Sequence, residues 1–148
     1  MTIYLGADHR GFALKEKLKQ ILVDDAYVVV DCGAAAYDKD DDFPDFAKTV
    51  AEAVVKSPSE DRGILICGSG FGVDIAANKY PGIRAALAMS PDHIYVGRHD
   101  DNVNILALAA DFIDEAMAVK IMKTFVSTPF AKEERYERRL GKIEKMER

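Results

Sequence analysis

One feature governs what this chain can fold into. Short apolar stretches alternate with longer stretches of helical spacing from one end to the other. Ile3-Tyr4-Leu5 is the first apolar stretch and stops at Gly6. Phe12 to Val23 then carries Leu14, Leu18, Ile21 and Leu22 on one helical face. Tyr27 to Val30 is β-branched and apolar and ends at Asp31-Cys32-Gly33. Pro44 is suited to the first position of a helix in which Phe46, Val50, Ala53 and Val54 share a face. Gly63 to Cys67 is a short buried strand, and about Val73 to Lys79 a helix that stops near Pro81-Gly82. Arg84 to Met89 is a fourth strand, Pro91 opens a short helix, and Asn104 to Leu108 is a fifth strand. Helices over Asp114 to Val126 and Glu133 to Met146 complete the pattern, the last highly charged. Five strands interleaved with helices predict a doubly wound α/β sandwich, its parallel sheet covered on both faces.

The length, 148 residues, fits one domain spanning 1–148. Hydrophobic residues are 49% and charged residues 30%, which favours a folded soluble chain over a disordered one. The net charge of −5 argues against sequence-independent nucleic-acid binding, which needs a basic footprint. No apolar run approaches the roughly 18–20 residues of a membrane span. The first residues lead straight into a strand pattern, so no signal peptide is expected. Cys32 and Cys67 both end apolar runs, which suits reduced thiols in a cytoplasmic protein. The acidic run Asp38-Lys39-Asp40-Asp41-Asp42 reads as a solvated loop. A calcium loop of the EF-hand kind would need a glycine and a distal glutamate that are missing.

Function in open α/β sheets sits at the carboxyl ends of the strands, near the switch point in strand order. Two loops there stand out: Gly6-Ala7-Asp8-His9-Arg10-Gly11 and Cys67-Gly68-Ser69-Gly70-Phe71-Gly72. In a flavodoxin-like order the strands before them are neighbours, so the loops would face each other across one crevice. The glycines admit close approach of a ligand, and a helix mouth offers free N–H groups to a phosphate, carboxylate or enediolate. The second loop lacks the Gly-Lys-Ser/Thr of a phosphate-binding P-loop. It also lacks the dinucleotide fingerprint and the flanking glycines of a nucleophile elbow. Cys67 lies at that helix mouth, where a thiol is expected partly as thiolate near neutral pH. The opposing reading is a buried strand-end cysteine. Asp8 is either a functional acid beside His9 or a helix cap. Arg135 and Arg139 stand four apart on one helical face and could clamp a phosphate. Alternatively they pair with Glu133, Glu134 and Glu137 on a solvated face.

Taken together, GADHRGFALKEKL, DDFPDFA, GILICGSGFGVDIAANKYPGIRAAL, NILAL and EERYERRL resemble the ribose-5-phosphate isomerase B family, which includes subunits of galactose-6-phosphate isomerase. The resemblance covers nearly the whole chain. It implies a Rossmann-like five-stranded parallel sheet with an extended C-terminal helix, in a homodimer or homotetramer with shared active sites. It implies aldose–ketose isomerisation of a sugar phosphate in pentose phosphate metabolism, with no metal or redox cofactor. By the resemblance, Cys67 is the base that moves a proton between C1 and C2. Ser69 and the backbone of Gly68 and Gly70, in the loop that continues to Gly72, steady the enediolate. Asp8 contacts a sugar hydroxyl. His9, Arg135 and Arg139 bind phosphate, the arginines coming from a neighbouring subunit.

The chain also departs from that family. A gapless match puts Asp100 where the family has a ring-opening histidine and Asp101 where it has an asparagine. The histidine here sits one residue early, at His99. Either His99 reaches in from a shifted loop or Asp100 does the acid–base work. Phe43 stands where a tyrosine is common, Asp111 where many members have an arginine, and Asp74 where a small residue is frequent. The substrate expected first is ribose 5-phosphate, in exchange with ribulose 5-phosphate. The alternatives are a 6-phosphohexose of the allose or galactose type, and a non-catalytic sugar-phosphate-binding protein. A nucleotide-binding flavodoxin-like module fits the motifs poorly.

Overall fold

The computed structural model describes residues 1–147; Arg148, the last residue of the expected domain, lies outside them. Five strands alternate with helices: β1 (Thr2–Ala7), α1 (Phe12–Asp24), β2 (Val28–Asp31), α2 (Phe43–Val54), β3 (Arg62–Cys67), α3 (Phe71–Ala77), β4 (Ala85–Leu87), α4 (Pro91–Asp101), β5 (Ile105–Ala109), α5 (Glu115–Ser127) and α6 (Glu134–Glu144). All pairings are parallel, and the order is β2-β1-β3-β5-β4. β1 and β3 are neighbours, as expected. On the far side β5 comes between β3 and β4, which a flavodoxin-like order does not have.

The strand pleat sorts side chains to the two faces. From β3 and β5, Ile64, Ile66, Leu106 and Leu108 join the core with Leu18 and Leu22 of α1, Ile94 of α4 and Phe125 of α5. Leu65, Cys67, Ile105 and Ala107 point the other way, against Ala47, Val50 and Val54 of α2 and Val73 and Ala77 of α3. Every residue of β3 is buried, so it is the centre of the sheet. β2 differs from the expected fully covered strand. It lies at the sheet edge, and Val28 and Val30 are exposed.

Local chemistry ends and starts the elements. The Ser90 hydroxyl accepts from His93 N–H at 3.1 Å and Pro91 follows, which opens α4. Asp114 accepts from Met117 N–H at 2.7 Å and opens α5. The edge of β4 is satisfied by Asn78, whose side chain donates to Ala85 O (3.0 Å) and accepts from Ala85 N–H (2.9 Å). Asp74, one turn earlier, accepts from Leu87 N–H, and burial raises its carboxyl above the ordinary range. This accounts for an acid at position 74. Two sequence expectations change here. α4 is longer than the short helix read from Pro91, and its last turn holds Arg98 to Asp101. The shifted loop considered for His99 is therefore helix. β4 is also shorter than Arg84 to Met89, since its flanks are taken up by these side-chain contacts.

Arg98 is buried and ties three elements together. Its guanidinium donates to Thr128 O at 3.2 Å, to Val103 O at 2.5 Å and to Asn102 Oδ1 at 2.9 Å. It therefore meets the carbonyl ends of α4 and α5, where a cation is favoured. α6 packs on α4, with Tyr136 and Leu140 buried beneath it. No helix among the described residues is long and apolar enough to cross a membrane. Arg98→Met should cost about 3 kcal/mol, because it leaves buried carbonyls unpaired. Urea unfolding checks this: the midpoint should fall at an unchanged m-value.

Candidate active site

The site is set by backbone bonds at the carboxyl ends of three adjacent strands. Asp8 N–H donates to Ile66 O at 3.3 Å, Ala110 N–H to Cys67 O at 2.9 Å, and Asp111 N–H to Gly68 O at 3.0 Å. The loops after β1, β3 and β5 are thereby laced together around one crevice of about 470 Å³. Asp8, Arg10, Phe43, Cys67, Gly68, Ser69, Gly72, Asp111 and Phe112 line it. The two loops singled out from sequence do face each other.

Cys67 sits at the crevice floor with 4% of its surface exposed. α3 has only seven residues, so its dipole is short. What reaches the sulfur is one specific donor, Gly70 N–H, 3.1 Å from Sγ. Gly70 adopts φ 76°, a left-handed turn that glycine enters without strain and that bends this N–H back over the thiol. The expectation that Gly70 serves an enediolate is thus altered, because its N–H is directed at the sulfur. Ser69 Oγ accepts from Phe71 N–H only at 3.4 Å, which leaves the hydroxyl to face the crevice it lines. Gly72 lies beneath the Phe43 ring, where a Cβ would come within 2.7 Å of ring carbon. Asp8 is not the cap of α1, which is Gly11; it acts one turn earlier. Its Oδ1 accepts from Arg10 and Gly11 N–H (3.0 and 3.1 Å), shaping the turn into α1, and it also lines the crevice.

His9 is not among these lining residues. Its Nδ1 meets Asp41 Oδ1 at 2.7 Å, and the same oxygen accepts from His9 N–H at 2.9 Å. Asp41 is therefore not part of a solvated loop, as the acidic run suggested. Its side chain is 9% exposed. Its second oxygen, Oδ2, is buried without a partner among the described residues. The hydrogen bond from Asp41 raises the His9 imidazole above its ordinary 6.5, with help from the Asp8 charge, while burial and Arg10 oppose.

A second cluster forms on α4 and α6. His99 Nδ1 meets Asp100 Oδ1 at 2.6 Å, and its ring stacks on Tyr95 at 5.4 Å. The hydrogen bond from His99 holds the Asp100 carboxyl below the ordinary carboxylate range, and Tyr136 adds to this. Arg135 donates to Tyr136 Oη at 2.9 Å and pairs with Glu133 at 2.8 Å. The Arg135 and Arg139 guanidiniums stand 4.7 and 6.0 Å from the Tyr136 ring centre. None of His99, Asp100, Asp101, Arg135 or Arg139 lines the Cys67 crevice of the same chain; Asp101 borders a separate recess beside β4.

This arrangement can be compared with known proteins. A family model described as Ribose/Galactose Isomerase matches residues 3–143. The chain belongs to the ribose/galactose isomerase family. A probable ribose-5-phosphate isomerase B of Mycoplasma genitalium is 40% identical over 99% of this chain and 96% of its own. Ribose-5-phosphate isomerase B of Mycobacterium tuberculosis is 39% identical over 100% of this chain and 91% of its own. A crystal structure of the Mycoplasma genitalium protein with bound ribulose-5-phosphate matches with a TM-score of 0.95 at 40% identity, over 99% of this chain and 95% of that one. A solved structure of ribose-5-phosphate isomerase B from Clostridium thermocellum matches with a TM-score of 0.93 at 41% identity, over 99% of this chain and 97% of that one.

In this ribose/galactose isomerase family member, Asp111 forms an ion pair with Arg10. Sequence reasoning missed Arg10, Asp41 and Phe112 and did not place Asp111 at the site. Asp111 and Phe112 follow directly on β5, and the strand-end rule applied to that neighbour of β3 finds them. Arg10 lies inside the Asp8 loop itself. Only Asp41 carried no signal, being one acid among several.

The raised His9 value fixes a sign. The imidazolium–Asp41 contact stabilises the fold fully below about pH 6.5, and this is lost as pH rises through the folded value. Asp41→Asn should bring the His9 titration back down toward 6.5, read from its Cε1–H resonance. An unmoved titration would show that Asp41 does not set it.

Proposed function

We propose that this family member is an aldose–ketose isomerase of ribose 5-phosphate and ribulose 5-phosphate, with Cys67 as the base. The observation that carries this is a sulfur at the crevice floor, met by Gly70 N–H at 3.1 Å and flanked by Asp8 and Ser69. Binding alone needs no thiol there. The relatives at about 40% identity are named for this substrate, which ranks it above a 6-phosphohexose.

In the proposed reaction the Cys67 thiolate takes the proton from C2 of the open-chain aldose and returns it at C1. The O2 proton passes to O1 over the same step, so the product is the ketose and nothing is oxidised or reduced overall. Ser69 hydroxyl and the Gly68 backbone steady the enediolate. Asp8 holds a sugar hydroxyl. His9, whose charged form Asp41 favours, is assigned to the phosphate, which positions the reacting carbons. Ring opening falls to the Asp100–His99 pair, whose side chains meet at 2.6 Å.

Asp100, His99, Arg135 and Arg139 lie outside the crevice of their own chain, so these roles are assigned to residues from a second copy. The exposed Phe71, Ile75 and Met89, with Phe112 at 70%, make an apolar surface beside the crevice that suits such a copy. Shared sites of this kind require that the Asp100 and arginine cluster of one chain reach the Cys67 crevice of the other.

Incubation with a panel of aldose and ketose phosphates in deuterium oxide tests the reaction. C2 proton exchange is expected first with ribose 5-phosphate. Cys67→Ala should cut exchange by about a thousandfold or more while leaving phosphate binding nearly unchanged. Exchange at the wild-type rate in that variant would remove Cys67 from the role, and exchange with no substrate would leave a binding protein. Sharing of sites has its own test. Cys67→Ala and Arg139→Ala proteins, mixed and allowed to exchange subunits, should recover about a quarter of wild-type activity through the one intact site of each hybrid dimer. No recovery would place each site within one chain.

A further inference from the structure

We propose that Arg10 is a further substrate-binding residue, gripping the anionic phosphate oxygens of the ligand from the same chain that supplies Cys67. The inference rests on the sugar-phosphate reading of the crevice and adds to it a contact made within a single chain.

The crevice lining holds two carboxylates, Asp8 and Asp111, and one cationic side chain, Arg10. A phosphate monoester carries close to two negative charges near neutral pH. Two carboxylates alone would repel it, and each is already committed to the protein. Asp8 shapes the turn into α1 through two N–H groups. Asp111 is fixed to the β3 loop by its own N–H and pairs with Arg10 Nη2.

The ion pair lies directly over the backbone of Gly68. A Cβ built there would come 2.5 Å from Asp111 Oδ2 and 2.6 Å from Arg10 Nε. The absence of a side chain at position 68 is what admits the guanidinium to the residue next to Cys67. A guanidinium has five N–H donors in a planar fork. Asp111 takes one edge of Arg10. The side chain is 58% exposed, so its other donors reach the water that a ligand displaces. An oriented guanidinium with an open edge is the geometry that binds phosphate in bidentate fashion. Because both partners are well exposed, the pair contributes little to holding the fold. Its placement over Gly68 is better explained by the ligand than by stability.

Steady-state kinetics with ribose 5-phosphate and calorimetric titration with inorganic phosphate test this in the full chain. Arg10→Ala should raise KM and weaken phosphate binding about tenfold, with kcat and the unfolding midpoint nearly unchanged. Arg10→Lys, which keeps a point charge without the fork, should fall between. The double variant Arg10→Ala/Asp111→Ala removes one charge of each sign and leaves the crevice's net charge as it was. Its KM should still be raised several-fold. A double variant with wild-type KM would reduce Arg10 to a screen for Asp111, and a single variant with KM and phosphate affinity within about twofold of wild type would remove Arg10 from the site; either overturns the proposal. If the wild-type protein turns over no sugar phosphate, the isomerase reading fails and the inorganic-phosphate titration decides alone. A tenfold weakening in Arg10→Ala then upholds the contact. Equal affinity, or no phosphate binding by wild type, overturns it.

Discussion

The register between β1 and β3 holds the rest in place. Ala7 lies opposite Ile66, so the two strands reach their carboxyl ends together, and β5 beside them brings Ala109 opposite Cys67. Because parallel strands point the same way, three loops leave the sheet at one level. The backbone bonds from Asp8, Ala110 and Asp111 to Ile66, Cys67 and Gly68 then lock those loops to one another. A slip of one residue in β3 would turn Cys67 from the α2–α3 face to the other. The thiol's position is thus a property of sheet register, and register is set by a strand buried on both faces.

Alternation of apolar strands and helices made the architecture legible. Every expected element exists, most within two residues of its expected bounds. What escaped was tertiary. Nothing in the spacing of Arg84 to Met89 says that Asn78 will occupy the edge of β4 and shorten it. Nor does composition reveal that β5 inserts between β3 and β4, since strand order depends on which helix crosses which face. The crevice was legible where a loop carried its own signature, as in Cys67-Gly68-Ser69-Gly70. It was opaque where chemistry depends on two residues far apart in sequence. His9 and Asp41 meet across the β2 to α2 connection. Arg10 and Asp111 meet across three strands. In each pair one member looked ordinary: Asp41 was one of a run of acids, and Arg10 one of many cations.

Function and folding share residues unevenly at this site. Asp8 shapes the turn into α1 through two N–H groups, and Gly11 in the same turn sits where a Cβ would meet Ile66 O at 2.5 Å. Losses of activity at either position would therefore mix a displaced loop with a lost contact. Arg10 and Asp111 differ. They are 58% and 37% exposed, and exposed ion pairs contribute about 0–1 kcal/mol to stability. A side chain that the fold can do without, yet that a bare glycine backbone makes room for beside Cys67, is where charge can be adjusted without disturbing the sheet. The same reasoning separates the two acids that meet histidines. Asp41 is buried against His9 with one oxygen unpartnered, so its charge is committed to that ring. Asp100 is partly open to solvent, and the hydrogen bond from His99 favours its ionised form. Burial separates the two pairs: Asp41 is closed off against its histidine, while Asp100 and His99 stay partly open to solvent.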